Sequence, residues 1–318
     1  MSFLWMLSEI RTPIGIQFFQ FITYLGQEML PVIVICALYW CCNKKLATTI
    51  GLTYVTSGIC VQGLKITFRI PRPWALDSDF QPVESAVGAA TGYSFPSGHT
   101  QSAVSLFAPL AFAAKRWYLK LLYIILFLSV GFSRMYLGVH TPKDVCTALV
   151  ITLIIGLLIW KGQAMLDNPK HTLPICIIIS ALAIFFAFYS FYLYHSGTIE
   201  YKYIEDCFKM AGASIGFAMG WYLEKTRLNF STECSGGKKA LLCRFLVGIF
   251  LTLVIYLLPK LIFDSFLIWK FLRYASVIFW IVYGYPCVFT TYQKKWIKKP
   301  KFRENIEILY FFHCRLYS

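Results

Sequence analysis

The sequence predicts an all-α fold, a polytopic transmembrane helical bundle of about nine spans, and three observations carry that expectation. Of 318 residues, 58% are hydrophobic and only 14% are charged, and the mean hydropathy is +0.61. An ordinary soluble domain is roughly one-quarter charged. Apolar runs long enough to cross about 30 Å of hydrocarbon as helices recur along the chain with short polar gaps between them. The formal net charge of +15 sits in small clusters between those runs, the placement that membrane orientation requires and nucleic-acid binding does not.

Taken in order, Met1 to Gln20 carries Glu9 and Arg11 in an apolar stretch. It lacks the basic start and unbroken apolar core of a cleaved signal peptide, so an interfacial helix is expected there. Spans follow near 29–42, 46–64, 99–114, 118–133, 145–160, 173–194, 208–223, 241–258 and 274–292. The polar connection from Pro71 to Phe95, with Trp74, Asp77, Asp79 and Glu84, reads as a mobile loop over one membrane surface. Phe68 just before it, with Trp74 and Phe80 within it, suit contact with lipid headgroups and upper acyl chains. The chain is expected to form a single integral membrane domain, 1–318, with a core at about 46–165, additional transmembrane helices at about 172–292 and a basic tail, 293–318. Eleven cysteines without any C-x-x-C pair read as small core residues rather than disulfides or a zinc site.

Orientation follows from alternate connections. Lys44 and Lys45, then Lys115, Arg116 and Lys120, then Lys161 and Lys170, then Lys225, Arg227, Lys238, Lys239 and Arg244 share one side with the tail Lys294 to Arg303. That side is expected to be cytoplasmic. On the opposite, extracytoplasmic or lumenal face, Lys65, Arg69 and Arg72 in one connection, and Arg134 and Lys143 in another, break the rule and need another reason.

Three segments on that face supply one. Lys65 and Arg72 stand seven apart with Pro73 following; Pro96-Ser97-Gly98-His99 precedes the third span; Ser133-Arg134, His140 and Asp144 run from the fourth span into the fifth. Lys65, Arg72 and Arg134 repel one another unless an anion sits among them, and the arginine fork matches phosphate oxygens. Taken singly, each reads first as a snorkelling or headgroup residue. Ser97 caps a helix whose free N–H groups favour phosphate. Thr141 and Pro142 start another helix, in which Asp144 either completes a capping box or orients His140. Each bland reading explains one segment, whereas a phosphate site explains all three.

The combined pattern, K-x6-R-P, P-S-G-H and S-R-x5-H-x3-D, resembles the three-part signature of the type-2 phosphatidic acid phosphatase superfamily. That superfamily includes lipid phosphate phosphatases, undecaprenyl pyrophosphate phosphatases, sphingosine-phosphate phosphatases, glucose-6-phosphatase and the soluble vanadium haloperoxidases. The resemblance spans Lys65 to Asp144 and the helices around it. It implies a membrane phosphatase acting on a lipid-borne phosphomonoester or pyrophosphate through a phosphohistidine, with no metal or other cofactor. It implies His140 as nucleophile, Asp144 as the group fixing its tautomer and His99 as general acid then base. Lys65, Arg72, Ser97, Gly98 and Arg134 would hold the phosphoryl oxygens. A soluble sugar phosphate as substrate, or transfer to an acceptor other than water, uses the same chemistry. An anion transporter would spread its cations along a mid-membrane path in both halves of the chain; here they gather at one surface in the first half.

Overall fold

The computed structural model describes residues 1–233, 237–263 and 266–297. Fifteen α-helices and three π-helical turns make up the described chain, with no strand among the described residues. In order the helices are α1 Ser2–Glu9, α2 Pro13–Tyr24, α3 Met29–Ala37, α4 Lys44–Phe68, α5 Pro73–Leu76, α6 Glu84–Val87, α7 Gly98–Ala113, α8 Trp117–Tyr136, α9 Pro142–Lys161, α10 Gln163–Asp167, α11 Pro169–His195, α12 Tyr201–Leu223, α13 Gly237–Phe263, α14 Leu267–Phe279 and α15 Tyr285–Ile297. Each apolar run expected to span is helical. The basic tail, 293–318, lies outside the described residues from 298 onward.

Five helical stretches are long and apolar enough to cross a membrane: Trp117–Tyr136, Pro142–Lys161, Pro169–His195, Gly237–Leu261 and Leu267–Tyr292. The pair Pro13–Tyr24 and Met29–Cys42, bent by 47°, is a sixth candidate. This is the make-up of a multi-pass membrane protein. The expected spans α4, α7 and α12 do not qualify by length and composition, for a reason visible in the packing. Helix α4 is sheathed by α7, α9, α11 and α12, with Thr49, Thr53, Ser57 and Lys65 all buried among them. Helices covered by other helices need not present apolar residues to lipid.

One apolar cluster joins α4, α7 and α8 through Ile50, Val104, Leu106, Phe127 and Val130. A second ties Trp40 and Leu52 to Phe217, Trp221 and Tyr285, locking the first half of the chain to the second. Helices α12 and α14 meet where Gly212 and Gly216 bring the backbone of α12 against that of Phe271 and Ala275, the close approach that small residues permit between membrane helices. At one end of the bundle Lys44 pairs with Glu224 at 2.7 Å and Lys45 with Asp167 at 2.5 Å, so basic connections predicted to share a side do come together.

The 71–95 connection is packed rather than free. It contains α5 and α6, and Phe80 is buried under Trp5 with ring centroids 5.3 Å apart. Trp5 Nε1 donates to Asp77 at 2.9 Å, and Arg11 donates to the carbonyls of Gln81 and Tyr136. The expected interfacial segment is thus α1 and α2, and they clamp the loop. Phe80 is core, while Phe68 keeps the exposed position expected of it.

Candidate active site

Each of the three signature segments sits at a helix end. Helix α4 delivers Lys65 in its last turn and stops at Arg69, which takes a left-handed conformation (φ 51°). Helix α7 begins with the Ser97 side chain accepting from Thr100 N. After α8, Gly138 turns the chain at φ 76°, where a side chain would also run into Arg11 and Phe80. His140 follows, and Thr141 with Asp144 forms the expected capping box over Pro142 at the start of α9.

These ends converge on a cavity of about 410 Å³ lined by Lys65, Arg72, Gly98, His99 and His140. Arg72 Nη1 lies 2.8 Å from His140 Nε2 and 2.9 Å from the Val139 carbonyl, and its Nε donates to the Gly92 carbonyl at 2.8 Å. A guanidinium can only donate. Nε2 is therefore the acceptor and carries the lone pair, leaving the proton of neutral His140 on Nδ1. Nδ1 faces Asp144 Oδ2 at 3.4 Å, close enough for attraction but without a well-formed hydrogen bond. Lys65 Nζ donates to the Tyr93 carbonyl at 2.7 Å. His99 Nε2 is buried with no hydrogen-bond partner among the described residues.

Ser97, Arg134 and Asp144 do not line the cavity. Ser97 is fully buried, its N–H donating to the Asp144 carbonyl at 3.0 Å and its oxygen accepting from the Thr100 hydroxyl at 2.9 Å. Arg134 is fully buried; Nη1 donates to Thr23 at 2.9 Å, while Nε and Nη2 have no hydrogen-bond partner among the described residues. Asp144 Oδ2 accepts from Thr141 N at 2.8 Å and from the Ser94 hydroxyl at 2.6 Å, so it serves both as cap and as neighbour of His140.

The electrostatics follow from burial and from the excess of cations. Burial pushes the Arg72 guanidinium down to about 10, against the pull of Asp144, so it remains a cation at neutral pH. Burial holds His140 well below its ordinary value, and Arg72, Arg134 and Lys65 push it the same way. These influences favour the neutral form of His140, the form with a lone pair to offer.

Sequence reasoning missed the tripeptide Gly92–Ser94, which anchors three signature residues at once: Arg72 and Lys65 through two carbonyls and Asp144 through the Ser94 hydroxyl. Backbone carbonyls leave no mark in a sequence. Tyr203 of α12 stacks on Tyr93 with centroids 3.9 Å apart, holding that tripeptide from the second half of the chain. Thr23, the partner of Arg134, was also missed. So were Glu28, Asp206 and Lys209, which line the same cavity; charged residues in or beside apolar spans were the available signal.

Comparison with known proteins finds related sequences over part of the chain. The chain is 29% identical over 126 residues to undecaprenyl-diphosphatase BcrC of Bacillus subtilis, covering 39% of this chain and 61% of that protein. It is 26% identical over 170 residues to human sphingosine-1-phosphate phosphatase 2, covering 51% of this chain and 42% of that protein. The chain thus spans between about two-fifths and three-fifths of the length of these relatives. The crystal structure of Aquifex aeolicus LpxE superposes with a TM-score of 0.43 at 24% identity, covering 50% of this chain and 93% of that one. Residues 46–167 match the PAP2 superfamily and residues 208–295 match the PAP2 superfamily phosphatase transmembrane extension; with every signature residue gathered at one end of α4, α7 and α9, the chain belongs to the PAP2 superfamily.

Proposed function

We propose that this protein is a membrane phosphatase that hydrolyses a phosphomonoester or pyrophosphate of a lipid, through a phosphohistidine formed on His140. The observation that carries the reading is the convergence of His140 Nε2, His99, Arg72 and Lys65 on one cavity. Its other lining includes Met29, Val32, Val61, Met210 and Ile278, an apolar surface suited to a hydrocarbon chain. The similar proteins named above act, by their names, on an undecaprenyl diphosphate and on sphingosine 1-phosphate, both lipid-borne phosphates.

In the proposed mechanism a phosphoryl oxygen takes over Arg72 Nη1, freeing the Nε2 lone pair of His140. Nε2 attacks phosphorus as the bond to the leaving oxygen breaks, and His99 gives that oxygen its proton. Asp144 stabilises the charge that develops on the imidazole. Water then attacks the phosphohistidine, His99 takes its proton, and the P–N bond breaks to release phosphate and neutral His140. Lys65, Arg72 and Arg134 balance the phosphoryl charge, joined by the N–H groups at Ser97 and Gly98, so no metal is required. Of these, Ser97 N–H and Arg134 need a small rearrangement to reach a phosphoryl oxygen, since neither lines the cavity. The site is placed on the extracytoplasmic or lumenal face and the C-terminus on the cytoplasmic side, supported by the Lys44 and Lys45 clusters at the opposite end of α4 from Lys65.

With one phosphate headgroup and progressively shorter tails in mixed micelles at fixed surface concentration, kcat/KM is expected to fall as the tail shortens, and glucose 6-phosphate is expected to be the poorer substrate. EDTA should leave the rate unchanged and vanadate should inhibit. A water-soluble analogue or glucose 6-phosphate matching the best lipid would replace the lipid reading with the soluble one, and loss of activity in EDTA restored by magnesium would overturn the mechanism.

The pH profile carries a second expectation. His140 attacks only when neutral, so kcat/KM should be lost on the acid side as pH falls through the lowered pKa of His140, below its ordinary value of about 6.5. Arg72→Gln removes a neighbouring cation that pushes that pKa down. Its acid limb should therefore move up in pH, alongside a fall in rate of about 10²–10³. An acid limb that stays in place would show that a group other than His140 sets it.

A further inference from the structure

The tripeptide Gly92–Ser94 has two sides. Its polar side serves the signature residues: the Gly92 carbonyl accepts from Arg72 Nε at 2.8 Å and the Tyr93 carbonyl from Lys65 Nζ at 2.7 Å, while the Ser94 hydroxyl donates to Asp144. Both carbonyls are neutral acceptors. They aim a guanidinium and an ammonium without cancelling the charge that a phosphoryl group needs, as a carboxylate partner would. Such a cradle has no ion pair to stiffen it, so its backbone must be held still by other means. The segment lies between α6 and α7 and has no helix of its own. Outside this cluster, Ser94 N ties it to the Ile70 carbonyl at 2.9 Å.

The apolar side of the tripeptide is the Tyr93 ring, which faces the second half of the chain. Tyr203, in the first turn of α12, stacks on it with centroids 3.9 Å apart and planes 12° from parallel. Around the pair, Ile66, next to Lys65 on α4, packs with Leu193 of α11 and with Ile204 and Cys207 of α12. Helix α12 is a firm post, because Gly212 and Gly216 set its backbone directly against Phe271 and Ala275 of α14. We propose that Tyr203 is a positioning residue for the phosphate site, acting through the Tyr93 ring: the stack fixes the two carbonyls that aim Lys65 and Arg72 at the phosphoryl oxygens. Neither tyrosine lines the cavity, so the effect passes through the two cations. The second half of the chain thereby takes part in the reaction, although the residues that meet the phosphate lie in the first.

The inference rests on the phosphatase reading, and its test separates the two. Phosphate release by the full chain would be measured in mixed micelles with a long-chain alkyl phosphate and the corresponding alkyl pyrophosphate, alongside the inhibition constant of vanadate. That constant and KM do not depend on how much of a preparation is folded, so a merely structural role for Tyr203 leaves both in place. Tyr203→Ala, and Tyr93→Ala, which keeps the carbonyl but loses the ring, should each raise KM and weaken vanadate by about threefold to tenfold, the scale of one aromatic pair, with a smaller change in kcat. The double variant should be no worse than either single one, because the two rings act as one device. Tyr203→Phe keeps the stack and should behave as the wild type. Unchanged KM and vanadate inhibition in Tyr203→Ala, losses that multiply in the double variant, or a loss in Tyr203→Phe equal to that in Tyr203→Ala would overturn the positioning role while the phosphatase reading stands. No phosphate from either substrate with the wild type would overturn that reading, and the positioning role with it.

Discussion

His140→Ala is expected to lower kcat for phosphate release by about 10⁴-fold or more, the scale seen when a covalent nucleophile is removed. No other side chain in the cavity offers an unprotonated nitrogen to a phosphoryl group held by Arg72 and Lys65: His99 is the remaining histidine there, and its role in the mechanism is proton transfer. The His140 side chain is buried but makes one side-chain hydrogen bond, to Arg72, so the variant should still fold, which a thermal unfolding curve in detergent would check. A folded His140→Ala protein within tenfold of the wild-type rate would remove His140 from the nucleophile's role.

Asp144→Asn is expected to cost about 10³–10⁴ in kcat with little change in KM, as when the carboxylate behind a catalytic histidine is made neutral. The substitution keeps the shape. Asp144 Oδ2 now gathers the Thr141 N–H and the Ser94 hydroxyl, and attracts the Nδ1 proton of His140. An amide oxygen in the place of Oδ2 would keep the cap and still face Nδ1, but without the negative charge that stabilises the imidazolium formed as Nε2 attacks. Ser94→Ala, which strips one donor from the same oxygen, should lower kcat by about tenfold, the worth of one hydrogen bond to a charged group. Asp144→Asn at near wild-type kcat would mean that this carboxylate only caps α9.

How much of this was legible in the sequence differs between the two halves of the chain. The signature residues were readable because each segment is local: Ser97 and Thr141 announce helix starts, and His140 and Asp144 four apart fall on adjacent turns. Their meeting was inferred from three segments sharing a face, and the structure brings Lys65, Arg72, His99 and His140 to one cavity. The burial of Ser97 and Arg134 was not readable, since a cap's accessibility and the depth of an arginine depend on neighbours such as Thr23, more than a hundred residues away. Apolar runs located every long helix, because the bilayer demands them. The polar helices α4 and α12 show why runs alone do not count spans: a helix sheathed by others is relieved of that demand. The loop over the site looked free because its polar residues were read singly. Trp5 and Arg11, far off in sequence, pack it through Phe80. Glu28, Asp206 and Lys209 carried a signal, charge beside hydrocarbon, but nothing local tied them to His140.

The most direct measurement of the central claim is to mix purified protein in detergent and EDTA with a long-chain lipid phosphate labelled on phosphorus, quench within the first turnover, and locate the label. The account predicts a phosphoprotein that is stable to base and labile to acid, carried on the peptide containing His140, absent from His140→Ala, and decaying to inorganic phosphate. Label on another residue, or phosphate release by His140→Ala at the wild-type rate, would contradict it.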